Sequence, residues 1–153
     1  GIGPDNTIDK KIRDVEIFPL LDCTDNSQTK IHWYNFLAYI VWQTAARYKH
    51  ELNLDLELVY ISDISILKYN SGGHYKKHVD HMPKNPRTIS FILLLNNDYE
   101  GGTLKFYDSF GKLIKEIDTQ PGRVIIWPSN FLFPHGIDEI KKGTRYSIVS
   151  WIA

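Results

Sequence analysis

Two histidines and an aspartate stand where they can share one metal ion. In the segment Tyr69-Asn70-Ser71-Gly72-Gly73-His74-Tyr75-Lys76-Lys77-His78-Val79-Asp80, one imidazole and one carboxylate are two residues apart. Extended backbone sends alternate side chains to opposite faces, so His78 and Asp80 point the same way. The third ligand must come from a distant part of the chain, and His135, in Phe133-Pro134-His135-Gly136, is the best candidate. Two histidines and one carboxylate on one face of an octahedron leave three positions open, a donor set that suits ferrous iron. Those positions accept a bidentate 2-oxo acid and O2. His74 and His81 compete as ligands, but neither has a carboxylate two residues on. His-x-Asp alone is a common surface occurrence, so the joint spacing carries the reading.

A dicarboxylate cosubstrate also needs a cation for its far end, because an unpaired carboxylate in an apolar core is costly. Arg145 opens the run Arg145-Tyr146-Ser147-Ile148-Val149-Ser150-Trp151, ten residues after His135. Its guanidinium presents a fork of donors that matches a carboxylate at two points. Ser147 lies on the same face of an extended strand and can add a hydroxyl.

The elements that must position these groups follow from the hydrophobic pattern. Residues 15–20 alternate and predict a short strand that closes at Pro19. Ser27 or Thr29 can cap a helix over 30–50, whose apolar stripe is Ile31, Tyr34, Leu37, Ala38, Val41, Trp42, Ala45 and Tyr48. His32 and His50 fall on its solvated side. Strands are then predicted over 56–61, 64–69, 88–95, 103–107, 113–117, 124–127 and 145–152, with a turn at 96–102. The run over 88–95 is continuously apolar and suits a strand buried on both faces. One helix ahead of seven or eight strands points to a mainly β fold, a two-sheet antiparallel sandwich with helical support on one side.

Composition narrows the function classes. Of 153 residues, 42% are hydrophobic and 24% charged, with 18 basic side chains against 18 acidic ones, so no global field draws the chain to nucleic acid or anionic lipid. A single cysteine, Cys23, rules out an intrachain disulfide and reads as a small apolar filler. No membrane span or signal-peptide layout is visible, which makes a cytoplasmic placement the expectation. Residues 1–10 are expected to be a flexible N-terminus ahead of one domain over 11–153.

These motifs resemble the prolyl 4-hydroxylase-like branch of the 2-oxoglutarate/Fe(II)-dependent dioxygenase superfamily. Tyr69-x2-Gly72-x2-Tyr75-x2-His78-x-Asp80 is similar to its first block. Arg87-Thr88, the strand ending at Leu95-Asn96 and Gly101-Gly102-Thr103-Leu104 are similar to its middle block. Pro121-Gly122 before the strand to Trp127 is similar to one of its turns, and His135 through Gly143-Thr144-Arg145-Tyr146 to Trp151 is similar to its last block. The resemblance covers residues 55–153 and implies a double-stranded β-helix, the jelly-roll or cupin-like core. It implies His78, Asp80 and His135 as iron ligands, Arg145 on the distal carboxylate of 2-oxoglutarate, and Tyr69 hydrogen-bonded to the same cosubstrate. The implied cofactors are Fe(II), 2-oxoglutarate and O2, with ascorbate as an optional reductant. The chain departs from some relatives in carrying Leu93, Leu94 and Leu95 where they place a second tyrosine, so the carboxylate would lean on Arg145, Ser147 and Tyr69.

The expected reaction is hydroxylation, first of a prolyl residue in a peptide or protein, with release of succinate and CO2. The same chemistry on a free amino acid or other small metabolite is the alternative, favoured by the short approach of the strands before Tyr69, which leaves little room for a long covering loop. A nucleic-acid dealkylase lacks support, because its Arg-x-Asn-x-Thr-x-Arg ending is missing. A zinc hydrolase would use the same three ligands with an activated water but gives Arg145 no task. A non-catalytic binding module ranks last because the ligand set is intact. For substrate, Tyr75, Arg87 and Trp127 are the candidate contacts, and Phe131 and Phe133 could extend an aromatic groove. Trp151 is expected to pack beneath the cosubstrate.

Overall fold

The computed structural model of the chain describes residues 9–20 and 27–153. Cys23 and most of the expected flexible N-terminus lie outside them. The helix α1, Gln28–Glu51, contains no glycine or proline. Leu37, Val41 and Ala45 are its buried positions, spaced by four as an amphipathic helix requires. The stripe begins at Tyr34, the first helical side chain to reach the Leu20, Ile64 and Ile148 cluster. Ile31, one turn earlier, is 42% exposed and does not join it. Asn53 ends the helix with φ +49°, a left-handed conformation that asparagine tolerates.

The strands build two five-stranded sheets and one small ribbon. The major sheet has β2 (Glu16–Pro19), β3 (Ile61–Tyr69), β12 (Arg145–Ile152), β5 (Ile89–Leu94) and β9 (Val124–Pro128), in that spatial order. The minor sheet has β1 (Arg13–Asp14), β4 (His74–His78), β10 (His135–Ile137), β7 (Leu104–Tyr107) and β8 (Leu113–Ile117). β6 (Glu100–Gly101) and β11 (Ile140–Lys142) pair separately. Every pairing is antiparallel. This is the jelly-roll sandwich expected from the sequence, with α1 on one side.

Alternation along the major strands divides the core in two. Ile64, Ile89, Phe91, Ile148 and Ile152 face α1. Leu67, Tyr69, Ile92, Trp127 and Val149 face the minor sheet and meet Leu104, Phe106 and Ile137. Each such aliphatic or aromatic side chain contributes roughly 1.5–3 kcal/mol on full burial, so both faces of the major sheet are anchored. β5 is buried at all but one position, as its continuous apolar run predicts.

Two expectations are corrected. Residues 56–60 do not form a strand, and only Ile61 of the expected segment joins one, as the start of β3: Leu56 and Leu58 pack under Trp42 and Tyr48, while Val59 and Tyr60 bond Ala153. The neighbouring strand β12 stops at Ile152, so residues further back have no ladder to join. The single strand expected over 15–20 is two, split at Val15, because the chain passes there from the minor sheet to the major one. The predicted turn at 96–102 also contains β6. β1 and β6 are two residues long, too short for a periodic signal.

Candidate active site

The metal-ligand candidates come together on the minor sheet. His135 on β10 is the direct cross-strand partner of His78 on β4. Asp80 lies two residues beyond His78, with Val79 turned outward and Asp80 only 5% exposed. His78 Nε2 is 3.5 Å from Asp80 Oδ1, and His135 Nε2 is 3.4 Å from Asp80 Oδ2. One ligand atom from each of the three residues lies within 4.8 Å of the others.

The rings are oriented for coordination. Nδ1 of His78 is 2.8 Å from the Lys76 carbonyl, and Nδ1 of His135 is 3.0 Å from the Phe133 carbonyl. A carbonyl only accepts, so each Nδ1 carries the proton and each Nε2 keeps its lone pair for a metal. Tyr75 stacks on His78 at 3.6 Å between centroids, and Trp127 meets His135 edge-on at 4.9 Å. Behind Asp80, the Ser90 hydroxyl donates to Oδ2 at 2.6 Å and is itself 2.7 Å from the Ser129 hydroxyl. Ser90 and Ser129 are buried on β5 and in the turn after β9, so the major sheet fixes a carboxylate carried by the minor one. His74 and His81 point their Nδ1 atoms at the carbonyls of Gly72 and Arg87 and stand outside the group.

Charge follows from this packing. Burial alone would raise the Asp80 carboxyl, but in the metal-free site its contacts with the His78 and His135 imidazoles and the Ser90 hydroxyl outweigh that and bring it below the usual carboxylate range. Burial pushes the His135 imidazole down, against the opposing pull of Asp80, which favours the neutral ligand form.

A cavity of ≈ 190 Å³ adjoins the three ligands and is lined by Tyr69, Tyr75, Arg87, Trp127 and Trp151 among others. Arg145 lies behind the lining residue Tyr69. It is 1% exposed, its Nη1 donates to Ser147 Oγ at 3.0 Å, and its Nε and Nη2 are buried with no hydrogen-bond partner. Tyr69 is its cross-strand partner, also 1% exposed, with the ring centroid 5.4 Å from the guanidinium carbon. A buried cation with two idle donors is costly unless an anion completes it. The donor set and the orphaned guanidinium therefore fit a metal and an acidic cosubstrate. Gly102 makes room here, since a Cβ on it would lie 3.1 Å from Arg145 Cδ and 2.2 Å from Ile140 Cδ1.

A model of the 2OG-Fe(II) oxygenase superfamily matches residues 64–153. The chain belongs to that superfamily. Among sequence relatives of this oxygenase chain, a PKHD-type hydroxylase of Prochlorococcus marinus (strain NATL2A) is 41% identical over 86 residues, covering 54% of this chain and 37% of the relative. A PKHD-type hydroxylase of Crocosphaera subtropica is 30% identical over 100 residues, covering 61% and 43%. The oxygenase chain thus spans only about two fifths of these curated relatives. In fold it is similar to a prolyl hydroxylase from Trichoplax adhaerens, solved with a hypoxia inducible factor peptide fragment, at TM-score 0.79 and 20% identity over 99% of this chain and 68% of that one. A Pseudomonas putida prolyl-4-hydroxylase follows at TM-score 0.69 and 20% identity, over 95% and 75%. The described helix of this oxygenase chain is not apolar enough to cross a membrane.

Of the substrate candidates, Tyr75, Arg87 and Trp127 all line the cavity. Arg87 lies 3.7 Å over the Trp151 ring, so Trp151 packs beneath that guanidinium as well as lining the cavity. Phe131 is 70% exposed and lines neither cavity nor core, because the loop after β9 carries it outward; this corrects the expected groove. Phe133 packs against the inner core. Sequence reading missed Ser90, Ser129, Arg13 and Asp63. Serines on apolar strands give no spacing signal, and Arg13 reaches the cavity only because β1 pairs with β4.

Proposed function

We propose that this domain is an Fe(II)- and 2-oxoglutarate-dependent dioxygenase that hydroxylates a prolyl residue in a peptide or protein. The observation that carries the reading is a His78/Asp80/His135 ligand set on one cavity with, behind its lining residue Tyr69, a buried Arg145 whose Nε and Nη2 lack partners. Ferrous iron chelating 2-oxoglutarate supplies the oxidising chemistry, in which O2 is reduced, the oxo acid becomes succinate and CO2, and one oxygen atom enters the substrate.

The chain's own residues do the holding and the positioning. His78 and His135 present Nε2, and Asp80 presents a carboxylate kept ionised by its hydrogen bonds. Arg145 takes the distal carboxylate at two points, with Ser147 steering Nη1. Tyr69 offers its hydroxyl to the same cosubstrate, and burial keeps that hydroxyl protonated. Leu67, Leu104, Ile137 and Val149 line the wall and exclude water, which strengthens the charged contacts. Tyr75, Trp127 and Arg87 face the space left for substrate.

The prolyl assignment draws on the names of the relatives and fold neighbours. The short connection between α1 and β3 favours a second reading, the same chemistry on a free amino acid. The test is turnover without substrate: iron-loaded protein should convert 2-oxoglutarate slowly to succinate, with and without ascorbate, and Arg145→Ala should abolish it. Proline peptides and a panel of free amino acids then separate the two substrates by which one accelerates succinate release. Protein that binds iron yet never consumes 2-oxoglutarate would refute the proposal.

A further inference from the structure

The cavity holds more positive charge than the cosubstrate needs. Arg13 projects from β1 with its guanidinium carbon 4.5 Å over the Tyr75 ring, and Arg87 lies 3.7 Å over the Trp151 ring. Both line the cavity, and the Nε of each is buried without a hydrogen-bond partner. Among the described residues, neither forms an ion pair with a carboxylate. Asp63 is close enough to influence both yet pairs with neither, its carboxylate taking the Ser65 hydroxyl instead.

Position separates Arg87 from Arg145, while Arg13 lies between them, near both Tyr75 and Tyr69. Arg145 and Trp151 face the same side of β12, six residues apart, about 20 Å of extended strand. The guanidinium over Trp151 therefore sits away from Tyr69, the lining residue beside Arg145. Charge makes the same point. A ferrous ion and three arginines outweigh Asp80, Asp63 and the two carboxylates of 2-oxoglutarate by one positive charge. One more carboxylate, arriving with the substrate, would balance the site and satisfy the idle donors.

We propose that Arg13 and Arg87 together bind a carboxylate of the substrate, which makes this oxygenase selective for an acidic group near the hydroxylated carbon. The inference rests on the proposed dioxygenase reading. The carboxylate comes either from an acidic residue beside a target proline or from the α-carboxylate of a free amino acid. The aromatic rings under the two arginines fix their planes, so fewer rotamers are lost on binding than at a free surface arginine.

The experiment loads the protein with Mn(II), which does not turn over, and 2-oxoglutarate, and measures probe binding calorimetrically. One arm uses capped proline peptides that differ only in Asp, Asn or Lys at each position from two before to two after the proline. The other compares L-proline with prolinamide. Acid forms should bind about tenfold or more tightly than their amides, as charged hydrogen bonds imply. Arg13→Gln and Arg87→Gln should each erode that preference, with melting curves to check folding, and Arg87→Glu should shift it toward the lysine peptides. The arm in which the preference appears identifies the source of the carboxylate. Acid and amide forms that behave alike, including probes that never bind, overturn the proposal. So does an Arg13→Gln variant that loses 2-oxoglutarate affinity but keeps the acid preference. Iron-loaded protein that consumes 2-oxoglutarate while showing no acid preference defeats this inference alone; protein that takes up neither metal nor 2-oxoglutarate defeats both.

Discussion

Replacing Arg145 by Gln tests the core of the functional reading. Gln keeps hydrogen-bonding capacity but ends at the level of the arginine Nε, so it removes the charge, the fork and the outer reach of the guanidinium. In the wild-type protein, Nε and Nη2 wait without partners inside a cation that is 1% exposed. A charge pair formed there is desolvated, and truncating one partner of such a pair costs about 2–5 kcal/mol. The affinity of metal-loaded protein for 2-oxoglutarate should therefore fall by roughly 30-fold to several thousandfold. The decisive comparison is with 2-oxovalerate, which keeps the oxo-acid end and lacks the distal carboxylate. Wild-type protein should prefer 2-oxoglutarate strongly, and Arg145→Gln should bind the two acids almost equally. Thermal melting gives an independent check, because ligand at a hundred times its Kd stabilises the folded state by about 2.7 kcal/mol. That gain should vanish for the variant. If Arg145→Gln retained the discrimination between the two acids, the assignment of this guanidinium to the cosubstrate would be wrong.

Other perturbations probe the shell around the ligands. Ser90→Ala removes the 2.6 Å hydrogen bond to Asp80 and leaves Ser129 without its partner, so metal affinity should drop about 10–100-fold in a metal titration. His135→Ala should abolish stoichiometric metal binding, and His74→Ala should not, as equilibrium dialysis would show. The metal-free protein should lose stability as pH falls below about 6.5, because burial lowers the His135 pKa and the unfolded chain then binds a proton the folded one refuses. Denaturant midpoints across that range give the sign. Gly102→Ala places a methyl against Ile140 at φ +64° and should destabilise the fold by about 1–2 kcal/mol or more.

The legibility of this chain in its sequence follows the range of the forces involved. The long helix and the apolar strand β5 were readable because each repeats one environment over many residues. His78 and Asp80 were readable because two-residue spacing fixes a shared face, and Arg145 with Ser147 for the same reason. The burial of Arg145 was not a matter of pattern; it follows from β12 sitting at the centre of the major sheet. Ser90 gave no sign, since one hydroxyl in an apolar run matters only when Asp80 is placed against it from the other sheet. Residues 56–60 misled because their alternation is real, with Leu56 and Leu58 facing inward, while the hydrogen-bonding neighbour that would make them a strand is missing. Phe131 misled because aromaticity says nothing about which way a loop turns.

The register between β10 and β4 slips between His135 and Ile137, and Gly136 sits at that slip, where a Cβ would come within 2.9 Å of the Tyr75 carbonyl. The parity of one three-residue strand thus decides whether an imidazole looks into the sandwich or out to water. Loops on the rim can gain or lose residues without consequence for the ligand set, yet one inserted or deleted residue between Pro134 and Ile137 would turn His135 away and leave a folded shell with an open ring of two donors.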